Sequence, residues 1–391
     1  MKGRPLFLRI SNTPRDYAWG SECAIAALLG TSPSGRPEAE LWLGAHPGSP
    51  ARIVEGAPEA DLAEWAAAHR PDRRLPFLLK VLAAATPLSL QAHPTLAQAA
   101  EGFAREETQC IPIGAAHRNY KDAFHKPELL VAVSDPFRAL AGFRSVATAR
   151  AELESMDDPR LTPLLDRLRA DDDLGSVFTW LIAREDGIEG VVAAISEHAL
   201  RSDGETAASE GVRTAAILAR HYPGDPGIAI SLLMHTVLLA PGEALYLPAG
   251  NLHAYVEGLG IELMAASDNV LRGGLTPKHV DVPELMRVLD ARPLPVPYLP
   301  AEEPAPGIRV YRPDVPDFVL TVVDGAALAE GARVPSDGDA IVLCTAGEVQ
   351  LEGGPLLRRG EAAFTDETAI GMRGTGLVWV ATGSALAPTD H

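Results

Sequence analysis

One stretch, from Pro241 to Asp281, constrains the fold more than any other: PGEALYLPAGNLHAYVEGLGIELMAASDNVLRGGLTPKHVD. Two short runs of strand character are joined there by Gly-rich turns. His253, Tyr255, Glu257, Glu262, Asp268, Arg272 and Lys278 are crowded into the same stretch, more chemistry than ordinary turns carry. Gly242, Pro248, Gly250 and His253 stand at the spacing G-x5-P-x-G-x2-H. A strand over Ala244 to Leu247 would run into the Pro-Ala-Gly turn and re-emerge with His253 at the start of the next strand, where a period of two points it into a barrel. A single histidine in such a hairpin is more often a satisfied core residue than a ligand. Other donors elsewhere in the chain have to decide.

This spacing resembles the second motif of the cupins, small β-barrels that hold a metal inside. Upstream, PLSLQAHPT places Ser89, Gln91 and His93 on one face of an extended strand, so a carboxamide oxygen and an imidazole approach one point. Thr95 is then a plausible N-cap for the helix that follows. In HKPELLVAV, Lys126 and Glu128 share a face, Pro127 marks an edge or bulge, and the apolar run after them is the signature of a strand buried on both faces. Lys80 sits inside the apolar run LPFLLKVLAA. Burying it there costs several kcal/mol unless it meets an anion or snorkels out, so it is either a strand-edge or an anion-binding residue. Glu40, Trp42, Gly44 and His46 alternate along AELWLGAHP, which gives one strand face both an acid and an imidazole; a strand with one polar face explains this equally well.

Taken together, YAWGS, ELWLGAHP, FLLKVL, SLQAHP, HKPELL, LPAGNLHAY and SDNVLRGGLTPKHVD, in this order and separation, resemble the type I mannose-6-phosphate isomerases over most of residues 15 to 290. The resemblance implies one zinc ion per chain held by Gln91, His93, Glu128 and His253. These are N and O donors from separate strands, a set that suits zinc. It also implies phosphate contacts from Ser89 and Lys80, and an active site lined by Lys126, Tyr255, Glu262, Asp268, Arg272 and Lys278. Ala92 and Leu129 stand where many members carry valine and methionine, and both are expected to face away from the metal.

The implied reaction moves a proton between C1 and C2 of mannose 6-phosphate and fructose 6-phosphate through a cis-enediol, which calls for a base and an electrophile. Zinc would supply the electrophile, with Arg272 sharing the charge or holding the phosphate. Glu262 is the first choice as base, ahead of Asp268, His46 or a bound water. An iron oxygenase of the cupin type would want two histidines and one carboxylate with open positions, which Gln91 argues against. A non-catalytic sugar-binding barrel would not need the lysines and arginine.

Composition sets the remaining bounds. With 391 residues, 47% of them hydrophobic, the chain has length for two or three domains with real cores. A formal charge of -18 and the lack of any Lys/Arg run exclude a nucleic-acid footprint. Cys23, Cys110 and Cys344 fit neither a disulfide framework nor a zinc ribbon and read as reduced cytoplasmic thiols. No run reaches the length of a membrane helix, and MKGRPLFLRI is too poor in apolar residues for a signal peptide. The partner expected is therefore a small sugar phosphate, with no nucleic acid, no membrane, and a monomer or weak oligomer.

The fold expected is mainly β with an α-helical insertion. Residues 1–144 and 226–290 would form a cupin-type jelly-roll catalytic barrel, interrupted by a helical domain over 145–225 with four to five helices of 3.6-residue apolar spacing. A helix is expected over Thr276 to Leu289, with Asp281 and Glu284 as its capping box. A Pro-rich linker then leads to a second jelly roll over 305–391, with His391 its one histidine and an apolar interior that holds no metal.

Overall fold

The strand His253–Ala265 runs for 13 residues, and the barrel is organised around the way it bends. In the computed structural model, which describes residues 5–202, 204 and 208–383, its first half pairs with Phe137–Phe143 and touches Leu90–Ala92 at the His253–Gln91 pair. Its second half pairs with Phe77–Ala84 on one side and Glu128–Ala132 on the other. Between the halves the register shifts at Tyr255/Glu257, and Gly258 adopts a φ of 134°. A Cβ at Gly258 would stand 2.6 Å from Cδ2 of Phe137, so only glycine lets the strand cross from one sheet to the other.

The remaining strands complete the two faces. Glu40–Leu43 extends the half built on Phe77–Ala84, and Ala244–Leu247 lies outside Glu128–Ala132. Met234–Leu239 flanks Phe137–Phe143, and Leu271–Gly274 flanks Leu90–Ala92. This is the cupin-type jelly roll. FLLKVLAA and ELLVA are buried at every position because neighbours cover both their faces, which is why they read as apolar runs apart from Lys80 and Glu128.

Among the described residues, five α-helices lie between the strands Phe137–Phe143 and Met234–Leu239 before the short helix Gly227–Ser231: Val146–Ser155, Thr162–Leu165, Leu174–Ile182, Ile188–Ser202 and Glu210–His221. Ser145 and Ser209 cap two of them by accepting the amides of Thr148 and Val212. Their apolar faces share one core with Leu90, Leu252 and Leu271 of the barrel, so the insertion is packed on the barrel wall. The helix expected over Thr276 to Leu289 is confined to Val282–Val288. Asp281 is its N-cap, accepting the Glu284 amide, so the capping signal itself marked the start.

The C-terminal strands Ile308–Tyr311, Val319–Asp324, Ala332–Pro335, Ala340–Leu351, Leu356–Arg358, Ala362–Thr365 and Ala369–Thr382 form a second sheet system with an apolar interior that includes Val342, Val349, Val378 and Val380. Two strands from the region assigned to the first barrel belong to it instead. Phe7–Ser11 pairs with Ala362–Thr365, and Arg52–Glu55 pairs with Phe7–Ser11. Leu8 and Ile10 are buried by this pairing, and alternation in so short a strand specifies a face but not the sheet it joins. Part of the Pro-rich linker is also a strand, Glu302–Ala305, antiparallel to Ile308–Tyr311. His391 lies outside the described residues.

Candidate metal centre and active site

Three strands deliver donors to one point inside the first barrel. His93 follows Leu90–Ala92, Glu128 opens Glu128–Ala132, and His253 opens the long bent strand. All three side chains are buried, and one ligand atom from each lies within 4.8 Å of the others. Nε2 of His93 is 3.2 Å from Oε1 of Glu128, and Nε2 of His253 is 3.4 Å from Oε2. Among the described residues, neither nitrogen has a hydrogen-bond partner.

The opposite ring nitrogens are held by backbone carbonyls. Nδ1 of His93 lies 2.8 Å from the oxygen of Asn269, and Nδ1 of His253 lies 3.0 Å from that of Asn251. A proton on each Nδ1 leaves each Nε2 lone pair aimed at the common point, the tautomer that a metal requires. Burial, followed by the charge of Lys126, pushes His93 down to about 4, so it is neutral near pH 7. Burial alone would raise Glu128, but Lys126 and the two histidines hold its carboxyl well below the usual range. Two imidazoles and one carboxylate, with two buried nitrogens left unpartnered among the described residues, fit a divalent cation such as zinc. Gln91 is the cross-strand partner of both His253 and Arg272, so its backbone lies beside the cluster.

The other predicted residues fall into three groups. Lys126 hydrogen-bonds Glu128, and the Tyr255 hydroxyl lies 3.4 Å from the Glu128 carboxylate. Burial, with Glu262 and Glu128 nearby, keeps that phenol protonated far above its ordinary range. Lys80 and Glu262 form a second group. They are direct cross-strand partners, with Nζ of Lys80 2.9 Å from Oε2 of Glu262 at an angle that makes an ion pair but no hydrogen bond. Nζ is also 3.4 Å from Glu40, whose other oxygen accepts the indole N–H of Trp42.

The two protein carboxylates supply the anion that a buried lysine needs, so the burial of Lys80 does not require a substrate phosphate. We expect Lys80→Met to lower stability by about 3–5 kcal/mol, because it leaves buried carboxylates uncompensated. Denaturant unfolding of the variant checks this. An unchanged midpoint together with a raised KM would restore Lys80 to the phosphate site.

Asp268, His46, Arg272, Ser89 and Lys278 make up the third group, nearer to solvent. His46 and Asp268 line a cavity of about 760 Å³, also bordered by Arg74, Lys121, Asp122 and Phe124. Arg272 is partly buried, and among the described residues no carboxylate lies within ion-pair distance of it. Burial lowers its pKa, yet a guanidinium stays charged. Ser89 is partly buried, and Lys278 is exposed on the segment before Val282–Val288.

The choice of Glu262 as first base does not suit this geometry. Its carboxylate is buried and already paired with Lys80, and burial, opposed by Lys80 and reinforced by Glu128 and Glu40, raises its pKa. Asp268 is on the cavity wall, with a carboxyl held below its usual range. Burial pushes it up, but the hydrogen bond from His46 and the charges of Lys126 and Lys80 more than offset that.

Sequence reading did not assign Glu40, Asn269 or Asp122. Asn269 is fully buried, and its side chain binds the amides of Lys121 and Asp122 and the carbonyls of Asp122 and Phe124. The Asp122 carboxylate in turn accepts Ser267 Oγ and the Asp268 amide. The one available signal was the phrase SDN itself, where polar residues capable of turn bonding follow a strand.

Residues 7–146 match the phosphomannose isomerase type I catalytic domain. A mannose-6-phosphate isomerase of Salmonella typhimurium is 37% identical over 390 residues, spanning 94% of this chain and 97% of its own length. The human mannose-6-phosphate isomerase is 33% identical over 390 residues, with 88% of each chain covered. Among solved structures, a zinc-bound mannose 6-phosphate isomerase superposes with a TM-score of 0.84 at 33% identity, covering 97% of this chain and all of the other.

Proposed function

This chain belongs to the type I mannose-6-phosphate isomerases, and from that premise we propose that it interconverts mannose 6-phosphate and fructose 6-phosphate with one zinc ion held by Gln91, His93, Glu128 and His253. The observation that carries the reading is the pair of buried Nε2 atoms on His93 and His253, unpartnered and facing the Glu128 carboxylate. Zinc in such a site supplies Lewis acidity to oxygens on C1 and C2, worth several kcal/mol of charge stabilisation.

The remaining work falls to the chain's own groups. Asp268, ionised at neutral pH and exposed to the cavity, takes the proton from one carbon and returns it to the other, while a hydroxyl proton passes between O2 and O1, so that the cis-enediol forms and collapses on one face of the sugar. Arg272, charged and without a carboxylate partner among the described residues, faces the negative charge that develops on the enediol oxygens or the substrate phosphate. Lys126 holds the ligand carboxylate of Glu128 ionised and oriented. Ser89, Lys121 and Lys278 offer polar or cationic contacts for the phosphate. The overall charge of -18 does not oppose this, because screening confines it to about 8 Å while these cations act locally.

Incubating the purified protein with mannose 6-phosphate and measuring fructose 6-phosphate tests the activity. Turnover that is lost with a chelator and restored by zinc is expected. No product at any metal load would overturn the reading.

A further inference from the structure

Of the candidate bases named from the sequence, His46 has its protons fixed by its surroundings. It lies just beyond the strand Glu40–Leu43, its side chain is 6% exposed, and its ring meets the Trp42 indole edge-on at 5.0 Å. The Gly48 amide donates to Nδ1 at 3.1 Å, so that nitrogen accepts and carries no proton. Nε2, which then carries a proton, lies 3.3 Å from Oδ2 of Asp268. In this tautomer His46 has no free lone pair to offer a substrate.

The backbone of Asp268 is fixed from the other side by the Asp122 carboxylate at 3.0 Å, and the neighbouring Asn269 carbonyl holds His93. One three-residue turn thus carries both a cavity carboxylate and the group that aims a metal ligand.

We infer that His46 is a positioning residue, whose Nε2–H orients the Asp268 carboxylate toward the reacting carbons. This deepens the proposed isomerase reading and rests on Asp268 being the base. Other charges facing Asp268 are Lys126, Lys80 and Lys121, with Arg74 on the same cavity wall. These stay in place when His46 is changed, so a shift in the acid limb on substitution reports the lost hydrogen bond.

The test uses the zinc-loaded enzyme with His46→Leu, His46→Gln, Asp268→Asn and the double variant His46→Leu/Asp268→Asn. His46→Leu is expected to lose about tenfold in kcat, less than the 10²–10⁴-fold that the general base itself contributes. KM and zinc content should hold, and the acid limb of kcat/KM should move to higher pH because Asp268 has become easier to protonate. His46→Gln, whose amide N–H takes the place of Nε2–H, should recover most of both.

In the Asp268→Asn background, His46→Leu should cause little further loss. A normal kcat with an unmoved acid limb in His46→Leu, or an equal loss in both backgrounds, overturns the role of His46. Should His46→Leu fail to fold, a His46→Gln enzyme whose acid limb is displaced overturns it as well. Wild-type turnover in Asp268→Asn instead overturns the choice of base and leaves the metal site untouched.

Discussion

His253→Ala is expected to lose bound zinc and turnover together. The imidazole is locked by the Asn251 carbonyl, with Nε2 within 3.4 Å of Glu128, so its removal takes away a preset donor that no neighbour replaces. Losing only a supporting hydrogen bond to a metal ligand costs roughly 10–100-fold in affinity. Losing the ligand itself should exceed that. Metal analysis after gel filtration and a kcat measurement check it together, and full zinc occupancy with normal turnover would remove His253 from the site.

Arg272→Ala is expected to separate what His253→Ala joins. The guanidinium is partly buried on the strand beside Gln91 and meets no carboxylate among the described residues, so its charge is available to the substrate. It is no metal ligand. The variant should keep about one zinc per chain while kcat falls by about 10²–10³-fold, the usual effect of deleting one preorganised electrostatic donor. A near-normal kcat, or loss of zinc with the side chain, would contradict this division of roles.

Three of the four donors that the family resemblance implied, His93, Glu128 and His253, meet in the structure. Strand alternation alone grouped Gln91 with His93 and Lys126 with Glu128, and the G-x5-P-x-G-x2-H turn by itself left His253 open between a ligand and a core residue. What the sequence left open depends on pairing between distant strands. Lys80 reads as a buried cation seeking an anion, but the anion is revealed only when Trp42 and Glu262 are found as its partners across two different strand pairs. Glu262 ranked first as base on strand alternation, which is blind to whether a buried carboxylate reaches a cavity. Asp268 and His46 meet across 222 positions of chain, a contact no local period encodes.

The N-terminal strands failed for the same reason. Phe7–Ser11 shows an inward-facing Leu8 and Ile10, yet nothing in five residues tells which of two sheets has the open edge they join.

The central claim is that one buried zinc, held between His93, Glu128 and His253, is required for the isomerisation. Stripping the protein with a chelator and titrating zinc back while following fructose 6-phosphate formation tests it most directly. Negligible activity is expected in the stripped protein, with a rise that breaks at one equivalent of zinc per chain. Full turnover by the stripped protein, or a break only at two equivalents, would contradict it.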